Sequence, residues 1–277
     1  MKLRVLDLFS GIGGFSLGLE RTGGFETVAF CEISPKCRHL LKHHWPEVPA
    51  YDDICTLTAE RLTADGVGVD VLCGGFPCQD ISTAGTGAGL AGERSGLWRE
   101  YARLIRELCP RLVIVENVSA LLGRGLGDVL GDLAALGYDA WWDCIPASAV
   151  GAPHQRDRVW IIAYSRSQQH EGFGDALCRA LAAQFLEASA SVDLGHTDRA
   201  PQDPHASESA SWTAIGEPSW WFSEPDVDRV AHGVPARVDR LHGLGNAVVP
   251  EIPRRLGQAI LTATASNPTG EPKARTA

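Results

Sequence analysis

A doubly wound α/β fold on a mainly parallel sheet is predicted by three observations. Short apolar runs alternate with segments of helical periodicity from residue 3 to about 164. The first apolar run leads straight into a glycine-rich turn that opens a helix. The chain has 277 residues, 44% hydrophobic and 21% charged, with a mean hydropathy of −0.06, which excludes wholesale disorder and suffices for one large core.

Each element follows in order. LRVLDLF (3–9) reads as a buried strand, followed by the glycine turn and a helix over about 14–22. FETVAFCE (25–32) is a second strand, and Pro35 starts a helix to about His44. VDVLCGG (69–75) is a short apolar run bounded by glycines. SGLWREYARLIREL (95–108) carries Leu97, Trp98, Tyr101, Leu104, Ile105 and Leu108 at helical spacing. RLVIVENV (111–118) is a strand, a helix follows around 126–136, and YDAWWDCI (138–145) and RVWIIAY (158–164) are two more strands. The pattern then weakens: from about 165 to 225 only 174–188 has helical character, with no strong strand. It recovers in a turn over 243–250 and a helix over 251–264. The chain thus divides into a core at 1–164, a poorly patterned segment at 165–228, a return to the core at 229–264 and a tail at 265–277.

Composition bounds the setting. No apolar stretch reaches the roughly 18–20 residues of a membrane helix, and the N-terminus lacks a secretory pattern, so a cytoplasmic protein is expected. None of the eight cysteines is paired at C-x-x-C spacing, and no metal-ligand cluster is visible. With 25 basic against 34 acidic residues the net charge is −9, which taken alone argues against a phosphate-rich partner. The acid is uneven: residues 165–225 hold nine carboxylates against Arg166, Arg179 and Arg199. A local stripe of arginine can still sit on such a surface.

Five stretches carry chemistry. DLFSGIGGFSLGLE (7–20) places glycines between a strand and a helix, where backbone approaches a ligand closely, and Glu32 ends the next strand where a carboxylate can accept ribose hydroxyls. NAD, FAD and S-adenosylmethionine are all open here, the G-x-G-G pattern leaning away from NAD. GGFPCQDIS (74–82) sets Cys78 on a turn at the carboxyl edge of the sheet, where a thiol can act as a nucleophile or be one more buried cysteine. ENV (116–118) ends a strand with Glu116 directed at the same crevice, or with a capping acid. GAPHQRDRVWIIA (151–163) has Arg156 and Arg158 at alternate positions entering a strand, which puts both on one side. GNAVVP (245–250) is a turn before the last helix.

Taken together and in this order, the five resemble the DNA (cytosine-5)-methyltransferase family of bacterial and phage type, from residue 3 to about 164 and again near 229–263. The resemblance implies the sheet of S-adenosylmethionine-dependent methyltransferases, Rossmann-like. It implies cofactor contacts from Phe9, Ser10, Gly11, Gly13, Gly14, Glu32, Ile33, Asp53, Ile54, Gly75, Pro77, Asn246 and Ala247. Pro77 and Cys78 match the nucleophile pair, Glu116 the carboxylate that holds cytosine, and Arg156 and Arg158 the arginines that position the base. Gln79, Ser82 and Arg94 fall where DNA contacts are expected. The implied reaction needs S-adenosylmethionine and no metal, takes double-stranded DNA with a flipped base, and suits a monomer with or without a cognate restriction endonuclease.

Two departures stand out. His154 sits where the family usually has Gln, and Gln155 follows. The target-recognition segment can only be about 165–228, short and acidic, with His170, Arg179, Gln184, Arg199 and the tryptophans Trp212, Trp220 and Trp221 as candidate readers, packing against the main sheet being the favoured alternative for the tryptophans. A tRNA cytosine-5 methyltransferase and a cofactor-binding homologue without turnover are the alternatives. The first lacks its Cys-Phe-Thr signature here, and the second must explain why every catalytic residue is kept.

Overall fold

The computed structural model describes residues 1–77, 96–168, 171–190 and 247–266. Among them seven strands form one sheet: β1 (Leu3–Leu8), β2 (Phe25–Cys31), β3 (Ala50–Tyr51), β4 (Val71–Gly75), β5 (Leu112–Val118), β6 (Tyr138–Ile145) and β7 (Arg158–Ser165). Their spatial order is β3-β2-β1-β4-β5-β7-β6. β1 to β5 pair in parallel, whereas β7 is antiparallel to both β5 and β6. The strand order reverses between β1 and β4, and a crevice at the carboxyl ends of these strands is where such sheets bind ligands.

Among the described residues eight helices accompany the sheet: α1 (Gly14–Glu20), α2 (Pro35–His44), α3 (Ala59–Ala64), α4 (Leu97–Leu108), α5 (Leu121–Arg124), α6 (Leu126–Ala135), α7 (Phe173–Ala190) and α8 (Glu251–Ala265). Alternate strand residues feed two cores. Leu6, Leu8, Leu72, Val113 and Val115 pack with Trp98, Tyr101 and Ile105 of α4 and Val129 and Leu133 of α6. Val5, Val71, Leu112 and Ile114 pack on the other face with α1, α7 and α8.

All six expected strands and the six expected helices form, within a few residues of their anticipated ends. α2 spans its anticipated residues because Pro35 fixes the first turn and the Ser34 hydroxyl accepts the Cys37 amide, at 3.4 Å. β3, α3, α5 and a 3₁₀ turn at Ala147–Val150 were not anticipated, since elements of two to six residues carry no periodicity.

The described part of the weakly patterned stretch joins the core. Phe173, Ala176, Leu177, Ala180 and Leu181 of α7 are buried against Leu256 and Ile260 of α8. Arg255 Nη1 locks the two helices by donating to the Gln184 carbonyl oxygen at 2.9 Å. No helix among the described residues is long and apolar enough to cross a membrane.

Candidate active site

The glycine turn is built around Glu32. This residue directly follows β2, is 9% exposed, and accepts the Gly11 amide at Oε2 and the Ser34 amide at Oε1, both at 2.8 Å. One carboxylate thus braces the loops after β1 and β2, and its remaining lone pairs stay available to hydroxyl donors. Ile33 follows with an apolar side chain 76% exposed at this edge of the sheet. Phe9 takes a left-handed backbone, φ 51°, an unfavourable state for a bulky residue that surrounding contacts sustain. Ser10 is buried, and its hydroxyl donates to the Asp7 carbonyl oxygen at 2.5 Å, so it serves the turn. Gly13 has φ 86°, and a Cβ there would lie 2.8 Å from the Trp45 ring. Only glycine meets both conditions.

Asp53 is half-buried and accepts the Cys55 amide at 2.9 Å, while the Ile54 side chain packs into the core. Arg103 of α4 holds this loop by donating to the carbonyl oxygens of Ile54 and Leu57, at 2.8 and 2.9 Å. Ala247–Val249 runs alongside α1, where a Cβ on Gly14 would lie 2.6 Å from the Val248 carbonyl oxygen. Two segments more than 230 residues apart therefore meet at the glycine turn because Gly14 has no side chain.

The second cluster lies across β4, β5 and β7. Gly75 is in register with Glu116, and a Cβ on Gly75 would be 2.6 Å from Glu116 Oε2. Arg158 Nε is 2.9 Å from Glu116 Oε1, with the two side chains 21% and 13% exposed. Burial raises the Glu116 carboxyl above its ordinary range, with Arg158 and Arg156 pulling the other way. Arg156 is half-buried, and burial together with repulsion from Arg158 holds it below the usual guanidinium range. Arg156 thus acts on both groups, although it does so from outside the strand. β7 begins at Arg158, and Arg156 sits in a left-handed kink at φ 40°.

Asn117 ties the clusters together. It is 2% exposed, and its Nδ2 donates to the Phe76 carbonyl oxygen at 3.1 Å, fastening the segment that enters Pro77 to β5. Pro77 itself is half-buried. Cys78, Gln79, Ser82, Arg94 and Asn246 lie outside the described residues.

Beneath the turn, Asp7 is fully buried and accepts from Ser16 Oγ at 2.7 Å and the Ser16 amide at 3.3 Å. It thereby satisfies an amide of α1 that has no side-chain N-cap. Burial pushes the Asp7 carboxyl up to about 7, against the hydrogen bonds from Ser16 and Cys73. Asp7 and Asn117 were not singled out from the sequence, and Trp98 and Tyr101 were read only as the apolar face of a helix. A charged residue inside the apolar LRVLDLF run was the available signal for Asp7, and a polar one inside RLVIVENV for Asn117.

The strand order, the braced glycine turn at the switch point and a carboxylate–guanidinium pair beside it define the class: an α/β protein with the methyltransferase-type sheet. A model of the C-5 cytosine-specific DNA methylase family matches residues 3–206, and the chain belongs to that family. It is 35% identical over 169 residues to the type II methyltransferase M2.BsuMI of Bacillus subtilis (strain 168), covering 58% of this chain and 42% of the relative. It is 33% identical over 173 residues to M.CviJI of Paramecium bursaria Chlorella virus IL3A, covering 62% and 46%. The chain thus spans less than half the length of these curated relatives. Among solved structures, an Escherichia coli prophage-encoded chain assigned as a DNA modification methyltransferase aligns with a TM-score of 0.52 at 27% identity, covering 62% of this chain and 49% of that one. Spodoptera frugiperda DNMT2 shares the fold, with a TM-score of 0.51 at 22% identity and coverage of 61% and 52%.

Proposed function

We propose that the chain is a DNA cytosine-5 methyltransferase that moves a methyl group from S-adenosylmethionine to C5 of a flipped cytosine through a covalent Cys78–C6 adduct. The observation that carries this reading is the Glu116–Arg158 pair. A carboxyl raised by burial sits 2.9 Å from a guanidinium, one strand from the Phe76–Pro77 segment. That is the equipment for gripping the polar edge of a cytosine ring.

The residues around the glycine turn fit S-adenosylmethionine. Glu32 offers an oriented acceptor for ribose hydroxyls, Asp53 one for the adenine amine, and Phe9 and Ile33 apolar surface for the base. When bound, S-adenosylmethionine supplies an electrophilic methyl group. Cytosine C5 is a weak nucleophile without help. The Cys78 thiolate forms a bond to C6, and the C5=C6 electron pair moves onto C5. Glu116 holds a proton at N3, and Arg158 donates to the O2 carbonyl as charge develops there. After C5 has gained its methyl group, the C5 proton leaves to a solvent base. The C5=C6 bond re-forms as the Cys78–C6 bond breaks, so one methyl is gained and one proton lost. C5 and C6 are shielded in a duplex, so the base is read flipped out.

Because α7 packs into the core, sequence reading is assigned to the stretch after it, within 191–246. The type II names of the relatives support a role beside a cognate restriction endonuclease; action in the cytoplasm and as a monomer is carried over from the family resemblance alone.

The test is transfer of labelled methyl groups to duplex DNA, with bisulfite mapping in a host free of cytosine methylation. A sharp consensus is expected, and Cys78→Ser abolishes transfer while keeping S-adenosylhomocysteine binding. Normal methylation by Cys78→Ser removes the covalent mechanism. Labelling of tRNA in place of DNA moves the substrate to the other branch of the family.

A further inference from the structure

We propose that Tyr101 and Trp98 are positioning residues that couple the cofactor turn to the segment entering Cys78, so that filling one side orders the other. This rests on the function proposed above. Four rings run in an unbroken file. Phe9 stacks on Tyr101 with centroids 6.4 Å apart and planes at 26°. Tyr101 meets Trp98 at 5.5 Å and 30°, and Trp98 meets Phe76 at 5.4 Å and 46°.

The two ends belong to different loops at the switch point: Phe9 leaves β1, and Phe76 leaves β4 just before Pro77. The two middle rings are three residues apart on one face of α4, where side chains are neighbours. Each is fastened by a polar tip. Trp98 Nε1 donates to Asp132 Oδ2 on α6 at 2.8 Å, and the Tyr101 hydroxyl to the Ile114 carbonyl oxygen on β5 at 3.3 Å. Phe76, Trp98 and Tyr101 are 2%, 2% and 0% exposed. Close-packed rings with two side-chain torsions each have little room to absorb a displacement, so a shift at Phe9 passes to Phe76. Asn117 then confines the response, because the Phe76 carbonyl is already tied to β5. Neither Trp98 nor Tyr101 is assigned to substrate or cofactor; each acts through the ring beyond it.

The test is hydrogen exchange with and without S-adenosylhomocysteine, with affinity by calorimetry. In the unaltered protein this product protects both 5–14 and 71–77. Trp98→Leu keeps protection at 5–14 and loses it at 71–77, and binding weakens about five- to tenfold, the range of a modest coupling. Trp98→Phe restores both readouts. Asp132→Ala removes the acceptor of the indole tip without touching a ring, and it weakens the protection at 71–77 even where Trp98→Leu folds poorly. Unchanged affinity and unchanged protection at 71–77 in Trp98→Leu or Asp132→Ala overturn the coupling while the function stands. Absence of binding by the unaltered protein overturns both.

Discussion

Glu116 and Arg158 illustrate what a single pair does in a largely dry site. Removing the guanidinium leaves a largely buried carboxylate that Arg156 offsets only in part, and breaking a buried pair costs about 3–5 kcal/mol where water is fully excluded. Here both side chains keep some exposure, so Arg158→Ala is expected to lose roughly 2 kcal/mol in urea denaturation at neutral pH. The double variant Arg158→Ala with Glu116→Gln regains most of it, since no uncompensated charge is left. Glu116→Gln alone lowers the rate of methyl transfer by about a hundredfold at unchanged cofactor affinity. Asp7 gives a second residue-scale prediction. Its carboxyl keeps its proton up to about 7 in the folded chain but loses it near 3.8 when unfolded. Between those values the folded state binds more protons, so its contribution to stability is present at low pH and is lost as pH rises towards 7. Roughly three pH units correspond to about 4 kcal/mol. Asp7→Asn keeps an oxygen for Ser16 and removes this slope. Subtracting its denaturation profile from that of the unaltered protein isolates the effect from the other carboxylates. Equal slopes in the two proteins would contradict the raised carboxyl.

At the scale of elements, the meeting of α1 with the segment entering α8 depends on absent side chains. A methyl on Gly14 would press on a backbone oxygen of Val248, which cannot rotate away. Gly14→Val is therefore expected to cost about 1–3 kcal/mol by calorimetric melting and to weaken S-adenosylhomocysteine binding together with it. The same scale shows how far local sequence reaches. The helical face of α4 was legible from Leu97, Trp98, Tyr101, Leu104 and Ile105, but its spacing says only that they are inward. That Trp98 and Tyr101 touch two different loops follows from where β1 and β4 deliver Phe9 and Phe76. Arg156 shows the opposite limit. Alternation assumes extended backbone, whereas Arg156 acts on the Glu116–Arg158 pair from a left-handed kink ahead of β7.

At the scale of the molecule, the proposed function raises the question of how a chain of net charge −9 would meet a polyanion. Among the described residues, the carboxyl edge of the sheet carries Arg99 at the start of α4, Arg124 at the end of α5, and Arg156. Arg158 is paired with Glu116. About three phosphate contacts give a slope near −3 for the logarithm of duplex affinity against the logarithm of salt. Anisotropy of a labelled duplex across a salt series measures it. A slope steeper than about −5 places further contacts in 191–246 or on a partner.

The amino-acid sequence by itself determined the strand–helix alternation, the glycine turn, and the five motifs whose order marks the family. Those signals are local: periodicity and turn chemistry are set within a few residues, and a motif is read without knowing where it lies. Only the tertiary structure decided that Glu32 braces two loops, that Glu116 closes on Arg158 over Gly75, that α7 belongs to the core, and that four rings join Phe9 to Phe76. Each of these depends on which strands are neighbours. A sheet in the order β3-β2-β1-β4-β5-β7-β6 brings together residues that no window along the chain contains.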